Sequence, residues 1–129
     1  DLAVREMEQQ RPDLKLEWVD ISRKCEDLPV ERFRQPLPPT AILSYNYAMA
    51  EEAIGVLAAA GYRVPDNLEV VSCYSFQSEK GWVSTIVVDD FEIGRLAAEA
   101  IQKLIEQPDY QVRLEVPAEL IQRKTTKAQ

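Results

Sequence analysis

The 129-residue chain carries 15 basic and 22 acidic side chains, no histidine and two cysteines, for a formal net charge of -7. That length holds one ordinary hydrophobic core, which predicts a single domain or one lobe of a larger protein. The acidic balance excludes this segment as a grip on a phosphate backbone, and the lack of histidine excludes histidine-based nucleophile relays and the usual zinc sites.

A hydrophobic fraction of 46% and a charged fraction of 29% are those of a soluble globular protein. There is no apolar run long enough to span a bilayer and no signal-peptide core, so no membrane partner is expected. The first residue is Asp1 rather than Met, as in a fragment or a processed product. Cys25 and Cys73 form no CxxC and read as two buried or idle thiols of a reducing compartment, a disulfide being the alternative.

Residues 2–10 read as the end of a helix halted at Arg11-Pro12. The stretch "LKLEWVDI", 14–21, sets Leu14, Leu16 and Trp18 against Lys15, Glu17 and Val19, a period of two that predicts a half-buried strand. Residues 22–39 are irregular, with one helical turn at Val30–Arg34.

"TAILSY" is a continuous apolar run suited to a central parallel strand. Ala50, Ala53, Ile54, Leu57 and Ala58 follow on one helix face, with Gly61 placed to end the helix. After "RVPDN" comes a second strand, "LEVVSCY", completing a β-α-β unit.

"VSTIVV" is a third strand, leading into Asp89-Asp90-Phe91-Glu92, where Asp89 and Glu92 make a capping box. The helix behind it has an apolar stripe of Ile93, Leu96, Ala97, Ala100, Ile101, Leu104 and Ile105, closed by Pro108. "RLEVPAELIQRKTT" is a final extended segment. This alternation predicts an α/β fold with a doubly wound, mostly parallel sheet and helices on both faces.

Such sheets bind ligands beyond the carboxyl ends of their strands, which places the candidate site on residues 20–23, 45–47 and 72–82. The four glycines form neither GxGxxG nor a P-loop, and no SxxK spacing occurs, so no catalysis and no cofactor is expected. The capping box accounts for Asp89 and Glu92 without a metal. What remains is binding: Asn46 donates and accepts in one side chain, and Tyr45, Tyr47, Tyr74 and Phe76 offer aromatic faces. Each tyrosine also has a plain packing role; only their convergence favours function. Trp18 and Trp82 read as packing residues, and Arg123, Lys124 and Lys127 as a solvated edge.

Three stretches, "PTAILSYNYAMAEEAIGVLAAAGYRVPDNLEVVSCYSF", "STIVVDDFEIGRLAAEAIQKLIE" and "VPAELIQRKTT", resemble the ligand-binding core of the LacI/GalR family of bacterial transcription regulators. The resemblance covers residues 39–126, with a looser fit before them. It implies that residues 1–129 are the C-terminal part of a periplasmic-binding-protein-like (type I) ligand-binding and dimerisation domain. On that resemblance a helix-turn-helix domain and most of the N-terminal lobe would lie outside the chain. It implies further a cytoplasmic homodimer that holds a small-molecule effector, a sugar or sugar-like compound, between two lobes, and that meets DNA only through the missing domain. The alternative is a solute-binding lobe of a sugar transporter, which shares the fold.

The same resemblance aligns Asn46 with the family's ligand-facing Asn and puts Tyr47 where the family has Asp. Tyr74 and Ser75 stand in the "GFDD" segment, Ser75 replacing a carboxylate that grips sugar hydroxyls, and Ile21 stands where an aromatic residue stacks on the ligand. A less hydroxylated or more aromatic effector is the expectation, with Asn46 as its polar anchor. Residues 51–61 resemble the helix that pairs across the dimer axis. The helix over 92–106 resembles one that packs in the first lobe, so its stripe is expected to be exposed unless a second copy covers it, by dimerisation or domain swapping.

Overall fold

The computed structural model describes residues 2–21, 25, 28–73 and 81–127. Its elements are α1 (Leu2–Gln10), a 3-10 turn at Val30–Arg34, β1 (Ala41–Ser44), α2 (Tyr47–Ala59), β2 (Glu69–Cys73), β3 (Ser84–Val88), α3 (Asp90–Glu106) and β4 (Ala118–Ile121). The strands form one sheet in the order β1-β2-β3-β4. β1, β2 and β3 run parallel, with Leu43 beside Val71 and Val71 beside Ser84; β4 runs antiparallel to β3, pairing Ile121 with Thr85. This is the mostly parallel α/β sheet that the strand and helix alternation predicts.

α2 forms because both of its ends are specified locally. The Asn46 side chain accepts from the Met49 N–H at 2.9 Å and caps the first turn. At the other end Gly61 takes φ +93°, its N–H donates to the Ala58 carbonyl and the Tyr62 N–H to the Leu57 carbonyl, both at 3.0 Å. That pair of bonds is a Schellman motif, which needs a residue without a Cβ penalty in the left-handed region. Between the caps, Ala50, Ala53, Ile54 and Leu57 are buried against β1 and β2, where Leu68, Val70 and Val83 complete the core. Ala58, assigned to that face from its spacing, is exposed.

Tyr62 and Phe33 fasten the loop before β1 to this core. The Tyr62 hydroxyl donates to the Phe33 carbonyl at 2.6 Å, and the rings meet edge to face with centroids 5.6 Å apart. Cys25 is buried beside them and its thiol donates to the Met49 carbonyl at 3.4 Å; Cys73 is half-buried, and both are free.

The C-terminal segment is built into the sheet. The Thr125 hydroxyl, wholly buried, donates to the Val70 carbonyl at 2.6 Å and accepts from the Ser84 N–H at 2.8 Å, while the Val70 N–H donates to the Thr125 carbonyl at 2.9 Å. The Ser84 hydroxyl accepts from the Arg123 N–H and meets the Thr126 hydroxyl, each at 2.8 Å. Every buried side-chain polar atom among the described residues has a partner.

Several expectations are corrected. Residues 14–20 form no strand, and Trp18 is 77% exposed, because an alternating pattern needs a neighbouring backbone to pair with before it becomes a strand. β1 accordingly stands at the edge of the described sheet, and Leu43 on it is exposed. The capping box is half made: Asp89 accepts from the Glu92 N–H at 2.9 Å, but the Glu92 carboxylate turns to Arg95. Arg95 thereby holds that carboxyl below its usual pKa.

α3 keeps its apolar stripe exposed. Only Ala100 on it is buried, and Ile93, Leu96, Ile101 and Leu104 face Val112, Leu114 and Val116 across an open trough of about 550 Å³. No helix of the described residues is long and apolar enough to cross a membrane.

Candidate functional site

Asn46 lies where β1 hands over to α2. Its extended backbone (φ -147°, ψ 172°) ends the strand, and its carbonyl accepts from the Ser44 hydroxyl and the Ala50 N–H, both at 3.1 Å. With Oδ1 on the Met49 N–H, the half-buried side chain keeps its Nδ2 donor without a hydrogen-bond partner among the described residues. A single amide thus orders the helix start and presents two N–H bonds to whatever lies beyond it.

Tyr47 turns the other way. Its phenol oxygen accepts from the Trp82 N–H at 2.9 Å and from the Val83 N–H at 3.4 Å. One helical turn on, the Glu51 carboxylate accepts from the Trp82 indole N–H at 2.8 Å. Two of the three predicted segments, 45–47 and the end of 72–82, are therefore joined directly through Tyr47.

Gly81 permits that junction. A Cβ on it would stand 2.9 Å from the Tyr47 hydroxyl and 2.9 Å from the Arg123 guanidinium, closer than real Cβ atoms come. Arg123, assigned to a solvated edge from sequence, is half-buried and donates from Nη1 to the Val83 carbonyl at 3.0 Å. Lys124 and Lys127 are exposed.

Ile21 is half-buried and packs against the same hydrophobic core as Tyr47 and Met49. Tyr74 and Ser75 lie outside the described residues. The roles of Glu51, Gly81, Trp82 and Arg123 were missed in the sequence; the spacing of Tyr47 and Glu51, four residues apart on one helix face, was the available signal. Burial raises the Cys73 thiol above its usual pKa, and burial followed by the negative charge of Glu52 raises that of Cys25, so neither reads as an activated nucleophile.

Over residues 2–126 the sequence matches the periplasmic binding protein-like domain family. The chain belongs to that family. Among solved structures it is similar to a LacI family transcriptional regulator from Bifidobacterium animalis subsp. lactis, with 28% identity, a TM-score of 0.78, and 96% of this chain and 48% of that one covered. It is similar in fold to the lac repressor dimer bound to operator and the anti-inducer ONPF, with 23% identity, a TM-score of 0.74, and 98% and 47% covered. The same fold recurs in the transcription regulator CcpA of Lactococcus lactis, with 16% identity, a TM-score of 0.73, and 98% and 49% covered. No curated protein matches the chain. It spans about half the length of these structural relatives.

The four-strand sheet keeps the fold of these relatives over about half of their length. The closing residues "LIQRKTT" have a structural part in it, since Arg123, Thr125 and Thr126 are hydrogen-bonded into the sheet.

Proposed function

We propose that the chain is the effector-sensing and dimerisation portion of a LacI/GalR-like transcription regulator, which binds a small sugar or sugar-like molecule between two lobes. It is a binding module without catalytic activity, works in the cytoplasm as a homodimer, and reaches DNA through a separate N-terminal domain. The likeness to a LacI family regulator across 96% of the chain supports this reading over a transporter lobe.

The observation that carries the proposal is the half-buried Asn46, whose Nδ2 donor has no partner among the described residues while its Oδ1 is spent on capping. The ligand accepts from that amide. Ile21 and the Tyr47 ring are the apolar and aromatic groups assigned to the rest of the site, and the family resemblance assigns Tyr74 and Ser75 to it as well. An effector poorer in hydroxyls than a free sugar suits such a lining.

A thermal-shift screen of the full-length protein against monosaccharides, nucleosides and small aromatics tests this, because a ligand that binds only the native state raises the melting temperature. Asn46→Asp is the matched control, keeping the cap acceptor and removing the amide donor. A shift present in the wild type and lost in Asn46→Asp is expected; equal shifts in both would move the site away from Asn46.

A further inference from the structure

The backbone of residues 81–84 is held from two sides that are far apart in sequence. From α2, the Tyr47 oxygen takes the Trp82 and Val83 N–H groups and Glu51 takes the Trp82 indole. From the C-terminal segment, the Lys124 N–H donates to the Trp82 carbonyl at 3.1 Å, Arg123 Nη1 donates to the Val83 carbonyl, and the Thr125 hydroxyl accepts from the Ser84 N–H. Gly81 lies against both the Tyr47 ring edge and the Arg123 guanidinium.

The phenol oxygen is an acceptor for two backbone donors that no other group in the described residues serves. A shorter side chain such as Asp could not span from the start of α2 to Trp82. A Cβ at 81 would crowd the phenol and the guanidinium alike, so Tyr47, Gly81 and Arg123 form a matched set.

We infer that Tyr47 is a positioning residue whose phenol clasps residues 81–83 between α2 and the C-terminal segment, and that its hydroxyl makes no contact with the effector. This rests on the reading of Asn46 as the effector's polar anchor, and it narrows the ligand class. With the phenol withdrawn, the described part of the site offers one amide donor, which suits a ligand with a single strong acceptor on an otherwise apolar or aromatic body. It also ties the anchor's neighbour to the residues that lead into β3, so the position of the Asn46 turn is referred to β3 and, through Arg123, to the C-terminal segment.

The clasp is testable without any ligand. In the intact protein, amide hydrogen exchange is followed at Trp82 and Val83, together with Trp82 emission in a Trp18→Phe background. Tyr47→Phe keeps the ring and removes the acceptor; about fivefold or greater acceleration at both amides is expected, with a red-shifted emission, because each loses a hydrogen bond. Asn46→Asp leaves both signals at the wild-type level. Gly81→Ala, which spares the phenol but crowds it, gives the same two changes and serves where Tyr47→Phe folds poorly.

Unchanged protection at Trp82 and Val83 in Tyr47→Phe overturns the inference. So does a compound from the screen whose affinity falls tenfold or more in Tyr47→Phe while the two amides keep their protection, since the phenol would then touch the ligand. If no screened compound binds, the effector reading loses its support and the exchange result still decides the clasp.

Discussion

α2 and α3 both carry apolar stripes at helical spacing, yet the shorter is the centre of the core and the longer lies open. α2 has Leu57 and Ala50 wholly buried on β1 and β2, whereas α3 leaves Ile105 77% exposed and Phe91 82% exposed. A stripe states that a face needs a partner, but not where the partner is. α2 meets its partners within a few residues of chain on either side, through β1 and β2. α3 follows β3 directly, and of its stripe only Ala100 is buried.

The comparison breaks most sharply at Leu57. Truncating it to alanine empties a fully enclosed site, and a loss of about 2–5 kcal/mol is expected in urea unfolding. Ile105→Ala on α3 should change the same measurement by about 0.5 kcal/mol or less, since the side chain is already in water. Equal losses at the two positions would mean that α3 is covered in the protein as measured.

Thr125→Val comes next. The isosteric change leaves the Val70 carbonyl and the Ser84 N–H without their buried partner, and about 2–4 kcal/mol should be lost. Asn46→Ala should lose about 1 kcal/mol through the missing cap, and Asn46→Asp little. The smallest effect is on the alkaline side. Burial raises the folded-state pKa of Cys25 above the ordinary 9.0, so its contribution to stability is complete below that pH and is lost as pH rises through the folded value. Unfolding midpoints followed from pH 8 upward should therefore fall, and fall less in Cys25→Ala.

α2 was legible because its signals are local: Asn46 to cap, Gly61 to stop, and four apolar residues at helical spacing between them. The three parallel strands were legible for the same reason. What escaped the sequence is long-range. Thr125 and Val70 are 55 residues apart, Tyr47 and Trp82 35, and no periodicity links them. Arg123 looked like a surface cation because nothing near it in sequence shows that it lies on Val83. "LKLEWVDI" failed in the opposite direction, having the right alternation but making no ladder with the β1 edge. At the candidate site, the place of Asn46 between strand and helix was legible in the sequence, whereas the bonds of the Tyr47 phenol to Trp82 and Val83 were not.

The central claim is that Asn46 Nδ2 anchors an effector, and titration calorimetry of the full-length protein tests it most directly. The titrant is the screened compound with the largest thermal shift, added to wild type and to Asn46→Asp. Loss of a hydrogen bond to a buried partner predicts affinity weakened about tenfold or more, with the ligand-free melting temperature unchanged. The same affinity in both proteins would contradict the account.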